Sequence, residues 1–401
     1  MRAARTLLFW LHLSAGVSAG AIILIMSATG AVLALKPQIL NRIDRDVRFV
    51  EPASSAQLSP SLIVAAVRIA RPDAAVASIA IDRDPKAAVA VGMGRGGTVY
   101  VDPYTGDVLG GGSETAESFF RSVENWHRWL AVGAEGRATA RTVTGAANLA
   151  FLVLAISGLY IWWPRKWTPQ HARPIVWFTR SRTGRARDFN WHNVIGFWCA
   201  PAIIVMTFSG VVMSYPWANG LLYRALGSTP PTPAGERGGG PGGGRGGAAP
   251  PIVPESLDAL VRRAEEQLRT WRTIAARFPN RAEAPVAFTL SDGASWNRFA
   301  RSQLTLDPVT AGVRQWQPYD SNSLGQKARG WLRFAHTGEL AGLPGQLIAG
   351  LGCLGGVMLV WTGISLAIRR FFAWKIWTPA RARAVVVESG DPLFVQRLMD
   401  E

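Results

Sequence analysis

The amino-acid sequence predicts an α-helical membrane protein with four transmembrane helices, formed by a duplicated unit in which an outer α/β domain lies between two helices. Three observations support this fold class. Four segments are apolar and long enough to cross about 30 Å of hydrocarbon. The ends of these segments are rich in Trp and Tyr, which favour membrane interfaces. One set of residue spacings also occurs twice along the chain.

The composition agrees with this class, since only 17% of the 401 residues are charged and 48% are hydrophobic. The net charge of +16 is concentrated in the loop at 165–188 and after the fourth span. The positive-inside rule explains that distribution better than a nucleic-acid partner does. We therefore expect contacts with membrane lipids, no nucleic acid, and both termini on the cytoplasmic side of a bacterial inner membrane.

The predicted elements follow in chain order. The first helix, Leu7–Leu35 within 1–35, is too long for a cleaved signal sequence. The remaining boundaries are an outer domain at 36–120, a His-bearing segment with the second helix at 121–164, a basic loop at 165–188, the third helix at 189–217, an outer region at 218–330, a His-bearing segment with the fourth helix at 331–370, and a cytoplasmic tail at 371–401. The later apolar spans are Thr144–Trp163, Val194–Trp217 and Leu347–Ile368.

Each outer domain is predicted to contain a helix followed by strands. In the first, the helix covers 59–71 and strands cover 77–82, 87–92 and 98–101; in the second, the helix covers 256–271 and strands cover 286–290 and 299–306. Asp102 and Asp307 begin matching Asp-Pro turns between strands. A Gly-, Pro- and Arg-rich stretch at 228–251 is predicted to be a flexible loop.

The first and third helices carry the same residues at the same offsets. A His is followed by a Gly four residues later and by a hydroxyl–Gly pair near the other end of the helix. These residues are His12, Gly16, Thr29 and Gly30 in the first helix, and His192, Gly196, Ser209 and Gly210 in the third. A histidine within a membrane span is taken as functional by default, because an unpartnered polar group is costly there.

The second and fourth spans repeat a different pattern. Each is preceded by a histidine, His127 or His336, and each ends near a hydroxyl–Gly pair, Ser157-Gly158 or Thr362-Gly363. Because the spans alternate in direction, depth pairs His12 with His192 near the cytoplasm. His127 and His336 both precede their spans on the outer side, so their equal depth pairs them with each other.

Paired imidazoles on facing helices suit the axial positions of haem iron. We therefore predict two b haems, with the four histidines as iron ligands, and glycines that leave room for the porphyrins. From His12 to Gly30 is about 27 Å at 1.5 Å per residue, so each helix would ligate one haem and accommodate the other. The glycines assigned to these sites are Gly16, Gly30, Gly158, Gly196, Gly210 and Gly363.

Other interpretations of these residues remain open. Small residues also serve ordinary helix packing, and a single histidine at a helix end can bond a carbonyl. Arg128 and Arg137 are candidates to bond haem propionates or to anchor the interface. The two cysteines lie in apolar spans, so we expect neither a disulfide nor a zinc site.

Several motifs together resemble the PepSY-associated transmembrane family. They are the first span with its histidine, Trp126-His127-Arg128-x-Leu130, Gly136-Arg137, and Ser157-Gly158-Leu159-Tyr160-x-Trp162. The resemblance covers nearly the whole chain and implies that the outer units are PepSY-like domains. Members of the family include inner-membrane ferric-siderophore reductases, of which the ferrioxamine reductase type carries two b haems. The resemblance thus implies transfer of electrons across the membrane to Fe(III) in a periplasmic siderophore.

Three functions are compatible with the sequence. The first is a ferric-siderophore reductase, and the second is a haem relay to another redox partner. The third is a non-catalytic membrane protein whose PepSY-like units bind or inhibit a periplasmic partner. The loop and tail are too short for a flavin or nicotinamide domain, so a reductase would need an external donor, either a quinol or a cytoplasmic reductase.

Overall fold

The computed structural model describes residues 2–164, 168–180, 184–231, 249–294, 297 and 299–389. Most of the predicted flexible loop, at 232–248, lies outside these residues, as do Arg165, Lys166 and Arg182 of the basic loop. The chain divides into two compact units. The membrane unit comprises the described parts of 1–34, 125–214 and 347–401, and the sheet unit comprises those of 35–124 and 215–346.

The helices and strands lie as follows. The α-helices are α1 (Arg2–Ala34), α2 (Lys36–Ile43), α3 (Arg45–Arg48), α4 (Pro60–Ala70), α5 (Glu114–Trp129), α6 (Arg137–Trp162), α7 (Pro169–Val176), α8 (Gly184–Ser214), α9 (Pro216–Ala225), α10 (Leu257–Gln267), α11 (Leu324–His336) and α12 (Gly342–Ser389). The strands are β1 (Ser78–Asp82), β2 (Val89–Gly92), β3 (Thr98–Val101), β4 (Val108–Gly111), β5 (Trp271–Arg277), β6 (Val286–Asp292), β7 (Arg301–Leu306) and β8 (Val313–Gln317).

Four helical segments of the described chain are long and apolar enough to cross a membrane. They contain α1, α6, α8 and the apolar part of α12, in agreement with the four predicted spans. The third span ends earlier than predicted, at Ser214 rather than Trp217. Pro216 begins the separate helix α9 after an extended Tyr215, since the residue before a proline avoids the helical conformation.

Glycines on α12 allow close contact with neighbouring helices. A Cβ built on Gly355 would clash with the Cys199 sulfur of α8, and one on Gly356 would lie 2.7 Å from the Ser27 hydroxyl of α1. Between α6 and α8, Asn148 Nδ2 donates to the Thr207 carbonyl at 2.8 Å. Lipid tails are as apolar as the helix surfaces, so the hydrophobic effect does not drive membrane helices together. Close packing at small residues and buried hydrogen bonds of this kind hold them together instead.

The sheet unit contains one antiparallel sheet of eight strands in the order β4-β3-β2-β1-β5-β6-β7-β8. Each half of the chain supplies one helix and four consecutive strands, and β1 pairs with β5 across the middle, with Ser78 opposite Arg277 and Asp82 opposite Thr273. The two predicted outer domains thus share a single sheet. This pairing was not evident from the sequence, because it joins strands almost 200 residues apart.

Helices α4 and α10 cover one face of this sheet. Alternate strand residues, such as Val89 and Val91 on β2 or Ile274 and Ala276 on β5, are buried against them. The helices contribute residues at helical spacing, including Leu260 and Ala264, which are fully buried. The shared core is therefore formed by alternate residues of the strands, which pack against the apolar face of each helix.

The predicted elements of the outer domains need corrections at four places. The second helix was predicted to reach Trp271, but α10 ends at Gln267 and Trp271 begins β5. Strand β5 was not predicted, and no bounds were given for β4 and β8 after the two turns, since β4 ends in glycines and β8 is mostly polar. Both are edge strands, where pairing along one side compensates for a weak local preference.

The two Asp-Pro turns are confirmed. Asp102 accepts hydrogen bonds from the amides of Tyr104 and Thr105, and Asp307 accepts them from Val309 and Thr310. In the second turn, the Thr310 amide and the Arg314 side chain hold the pKa of the Asp307 carboxyl well below its usual range.

We predict that the amides of β1 and β5 are the best protected of the sheet unit in hydrogen–deuterium exchange. Both strands are central, so their amide hydrogens exchange only when the shared sheet opens. The edge strands β4 and β8 should exchange faster and serve as internal controls. Rapid exchange of β1 and β5 together, with protection retained elsewhere, would contradict a sheet that is continuous through this pair.

Candidate functional site

Two of the four candidate histidines lie close together in the membrane unit. His12 is on α1 and His192 is on α8, and both side chains are half-buried. The two imidazoles are near enough to interact electrostatically. The structure thus brings together the pair that depth alone had predicted, and their binding of iron stays a prediction.

Each of these imidazoles bonds a hydroxyl group on a different helix. His12 Nδ1 lies 2.9 Å from Ser157 Oγ of α6, and His192 Nδ1 lies 2.9 Å from Thr362 Oγ1 of α12. Both hydroxyl residues are buried, with 5% of Ser157 and 0% of Thr362 exposed. The first pair of spans and the second pair therefore make equivalent contacts.

The hydrogen bonds of the hydroxyl groups determine where the imidazole protons lie. Ser157 Oγ donates to the Leu154 carbonyl at 3.3 Å, and Thr362 Oγ1 donates to the Met358 carbonyl at 2.7 Å. A hydroxyl has a single hydrogen to donate. A hydroxyl oxygen that donates to a carbonyl in this way accepts from Nδ1–H of the histidine. In a neutral imidazole this leaves Nε2 with its lone pair, the form that binds a metal ion.

His127 makes the same type of contact at the other end of α1. Its Nδ1 lies 3.0 Å from Thr29 Oγ1 and 3.0 Å from the Met26 carbonyl. A carbonyl can only accept, and the Thr29 hydroxyl already donates to the Ile25 carbonyl at 2.6 Å. His127 therefore also carries its proton on Nδ1.

A glycine follows each of these hydroxyl residues and lies against the imidazole. A Cβ built on Gly158, Gly363 or Gly30 would lie 3.3 Å from the Cε1 atom of His12, His192 or His127, respectively. That distance is tighter than ordinary van der Waals contact. A larger residue would displace each ring, so the hydroxyl–Gly pair provides both a hydrogen-bond acceptor and the space for the ring.

The remaining predicted glycines contact other groups. Gly16 faces Leu154 of α6 and Gly196 faces Leu359 of α12 at ordinary packing distances, whereas Gly210 lies tightly against the amide of Asn148. These contacts agree with helix packing. The assignment of Gly16, Gly196 and Gly210 to porphyrin sites stays a prediction.

The other candidates are placed as follows. His336 is the last residue of α11 in the sheet unit and is half-buried; its pairing with His127 stays a prediction. The exposed guanidinium groups of Arg128 and Arg137 stack on the Trp129 ring, 4.2 and 4.7 Å from its centroid. His171, to which no role was assigned, is exposed and bonds Thr168.

The hydroxyl groups are the functional residues that the sequence reasoning missed. Thr29, Ser157 and Thr362 were noted only as neighbours of glycines, although the repeated hydroxyl–Gly pair was itself the available signal. Partners that fix the second nitrogen of a metal-binding histidine orient the ring and raise its basicity. The Nδ1 contacts with hydroxyl groups and the adjacent glycines fit an axial haem site.

Comparison with known protein families agrees with the four apolar helices of the membrane unit. The sequence profile of one family, described as the PepSY-associated TM region, matches residues 9–370. The matched range contains all four candidate histidines and their hydroxyl partners. No curated protein matches the chain.

We predict that Thr362→Ala weakens haem retention about 10- to 100-fold, the usual cost of removing a partner of a metal-binding histidine. Haem loss from the purified protein to an excess of apomyoglobin measures this effect. Thr362→Ser keeps the hydroxyl and should retain haem. Thr142→Ala is the matched control, because Thr142 makes a similar bond to its own helix, to Ala138, but is not bonded to a histidine. Equal retention in Thr362→Ala and Thr142→Ala would contradict the assigned role.

Proposed function

Because the chain belongs to the family of the PepSY-associated TM region, we propose that it is an inner-membrane di-haem b oxidoreductase that reduces ferric siderophores in the periplasm. The single observation that carries this proposal is the pairing of His12 and His192. The two side chains come from different helices of the membrane unit, and each contacts a hydroxyl group on a neighbouring helix through Nδ1, which leaves Nε2 as the nitrogen that would bind iron.

The inner haem would be held by His12 and His192, with Gly158 and Gly363 beside the rings. Ser157 and Thr362 would orient the imidazoles and hold their protons on Nδ1, so that the Nε2 lone pairs are available to iron. The outer haem would be held by His127 and His336. Bound at both levels, haem b supplies one-electron redox centres that connect a cytoplasmic donor with a periplasmic acceptor.

The orientation follows from the distribution of charge. Arg173 and Arg180 lie between α6 and α8, Arg185 and Arg187 lie in the first turn of α8, and Arg369 and Arg370 follow the apolar part of α12. The positive-inside rule assigns this end, and both termini, to the cytoplasm. The sheet unit would then lie in the periplasm, with its two halves derived from a duplicated PepSY-like domain, one helix and four strands in each.

Reduction of the metal is sufficient to release it from a siderophore. Fe(III) is held tightly by hard oxygen donors, whereas Fe(II) binds them weakly, so a single electron per iron changes the affinity. The protein needs no hydrolytic group for this reaction. The donor would be external, either a quinol or a soluble cytoplasmic reductase.

We predict two b haems per chain in the absorption spectrum of the purified protein, oxidised and then reduced with dithionite. His12→Ala or His192→Ala should remove one haem, and His127→Ala or His336→Ala should remove the other. His171→Ala is the control and should retain both, because His171 is an exposed residue of α7. A colourless wild-type protein would refute the proposal and favour a non-catalytic protein that binds a periplasmic partner.

We predict that ferric siderophore reoxidises the reduced protein under anaerobic conditions, with one Fe(II) formed per electron. Stopped-flow absorption of the haem bands measures the oxidised protein, and a coloured complex with a ferrous chelator measures the Fe(II). The His12→Ala variant should show less than the wild-type number of transferable electrons. If the reduced protein retains two haems but no ferric chelate reoxidises it, the chain is a relay to another redox partner.

A further inference from the structure

Asp188 is a buried carboxylate at the cytoplasmic end of α8. Only 2% of the residue is exposed, and it lies four residues before His192, which places the two on the same face of the helix. An ionised carboxylate is costly to bury unless it is paired and hydrogen-bonded. Among the residues that the structure describes, Asp44 of the sheet unit is the other acid that is buried to this extent.

The partners of Asp188 lie on two helices. On its own helix, Arg187 Nη2 lies 3.0 Å from Oδ1. On α12, Ser365 Oγ donates to Oδ2 at 2.7 Å and Arg369 Nη2 lies 3.7 Å from the same oxygen. One carboxylate therefore joins the cytoplasmic ends of α8 and α12.

This junction is one helical turn away from the bond that orients His192. Asp188 precedes His192 by four residues, and Ser365 follows Thr362 by three. The two helices are consequently linked in successive turns, first by Asp188 with Ser365 and then by His192 with Thr362. A shift between α8 and α12 would have to break both bonds.

We infer that Asp188 is a positioning residue for the inner haem site: it holds α8 against α12 so that His192 keeps its ligating geometry, and its charge lowers the reduction potential there. The inference rests on the proposed haem function. A nearby negative charge favours the ferric form, which carries one more positive charge than the ferrous form. In the first half of the chain, Leu8 occupies the position four residues before His12, so His192 alone has this support.

The test uses two substitutions in the full-length protein. Asp188→Asn keeps an oxygen that can accept from Ser365 but removes the charge, whereas Asp188→Ala removes both. Asp44→Asn is the matched control, because Asp44 is equally buried and its Oδ2 pairs with Arg48 at 3.1 Å. Redox titration followed by absorption gives the potential of each haem, and electron paramagnetic resonance gives the low-spin ferric signals. The His12→Ala variant identifies which signals belong to the inner haem.

In Asp188→Asn we expect both haems to remain and the inner potential alone to move to a more positive value. In Asp188→Ala we expect the inner low-spin signal to change or fall in occupancy while the outer signal is unaltered. Asp44→Asn should change neither haem. An unaltered inner haem in both Asp188 variants, or an equal shift of both haems, would overturn the inference but leave the proposed function standing. A wild-type protein without haem would overturn both.

Discussion

The hydrogen bond between an imidazole and a hydroxyl group on another helix is the interaction on which the rest of the membrane unit depends. A polar ring in an apolar bundle needs a partner, and Ser157 and Thr362 supply one to His12 and His192. Because each hydroxyl donates its own hydrogen to a backbone carbonyl, it can only accept from the ring. The same bond therefore satisfies the histidine, selects its tautomer and leaves Nε2 for a metal.

This bond also constrains how closely the helices pack. The ring reaches the hydroxyl only if the next residue on that helix has no side chain, which explains Gly158, Gly363 and Gly30 beside the three imidazoles. Hydroxyl and glycine thus act as one unit. A feature that resembles a general small-residue packing motif in the sequence acquires a specific role once the contacting ring is known.

The two halves of the chain are similar but not equivalent. They contribute equal numbers of strands to one sheet, joined where β1 pairs with β5, and they make matching histidine contacts in the membrane unit. The second half adds the buried Asp188 with Arg187 and Arg369, where the first half has only Leu8. Two helices that carry matching histidines can therefore place them in different electrostatic surroundings.

The sequence by itself determined the four spans, the histidine positions and the glycines beside them, because span length and helical spacing are local properties. It also predicted most strands from their alternation, but not β5, whose partner β1 is distant in the chain. Only the tertiary structure decided which hydroxyl each histidine meets and that Asp188 is buried rather than a solvated loop acid. Those facts depend on which helices become neighbours, and local sequence patterns do not encode that choice.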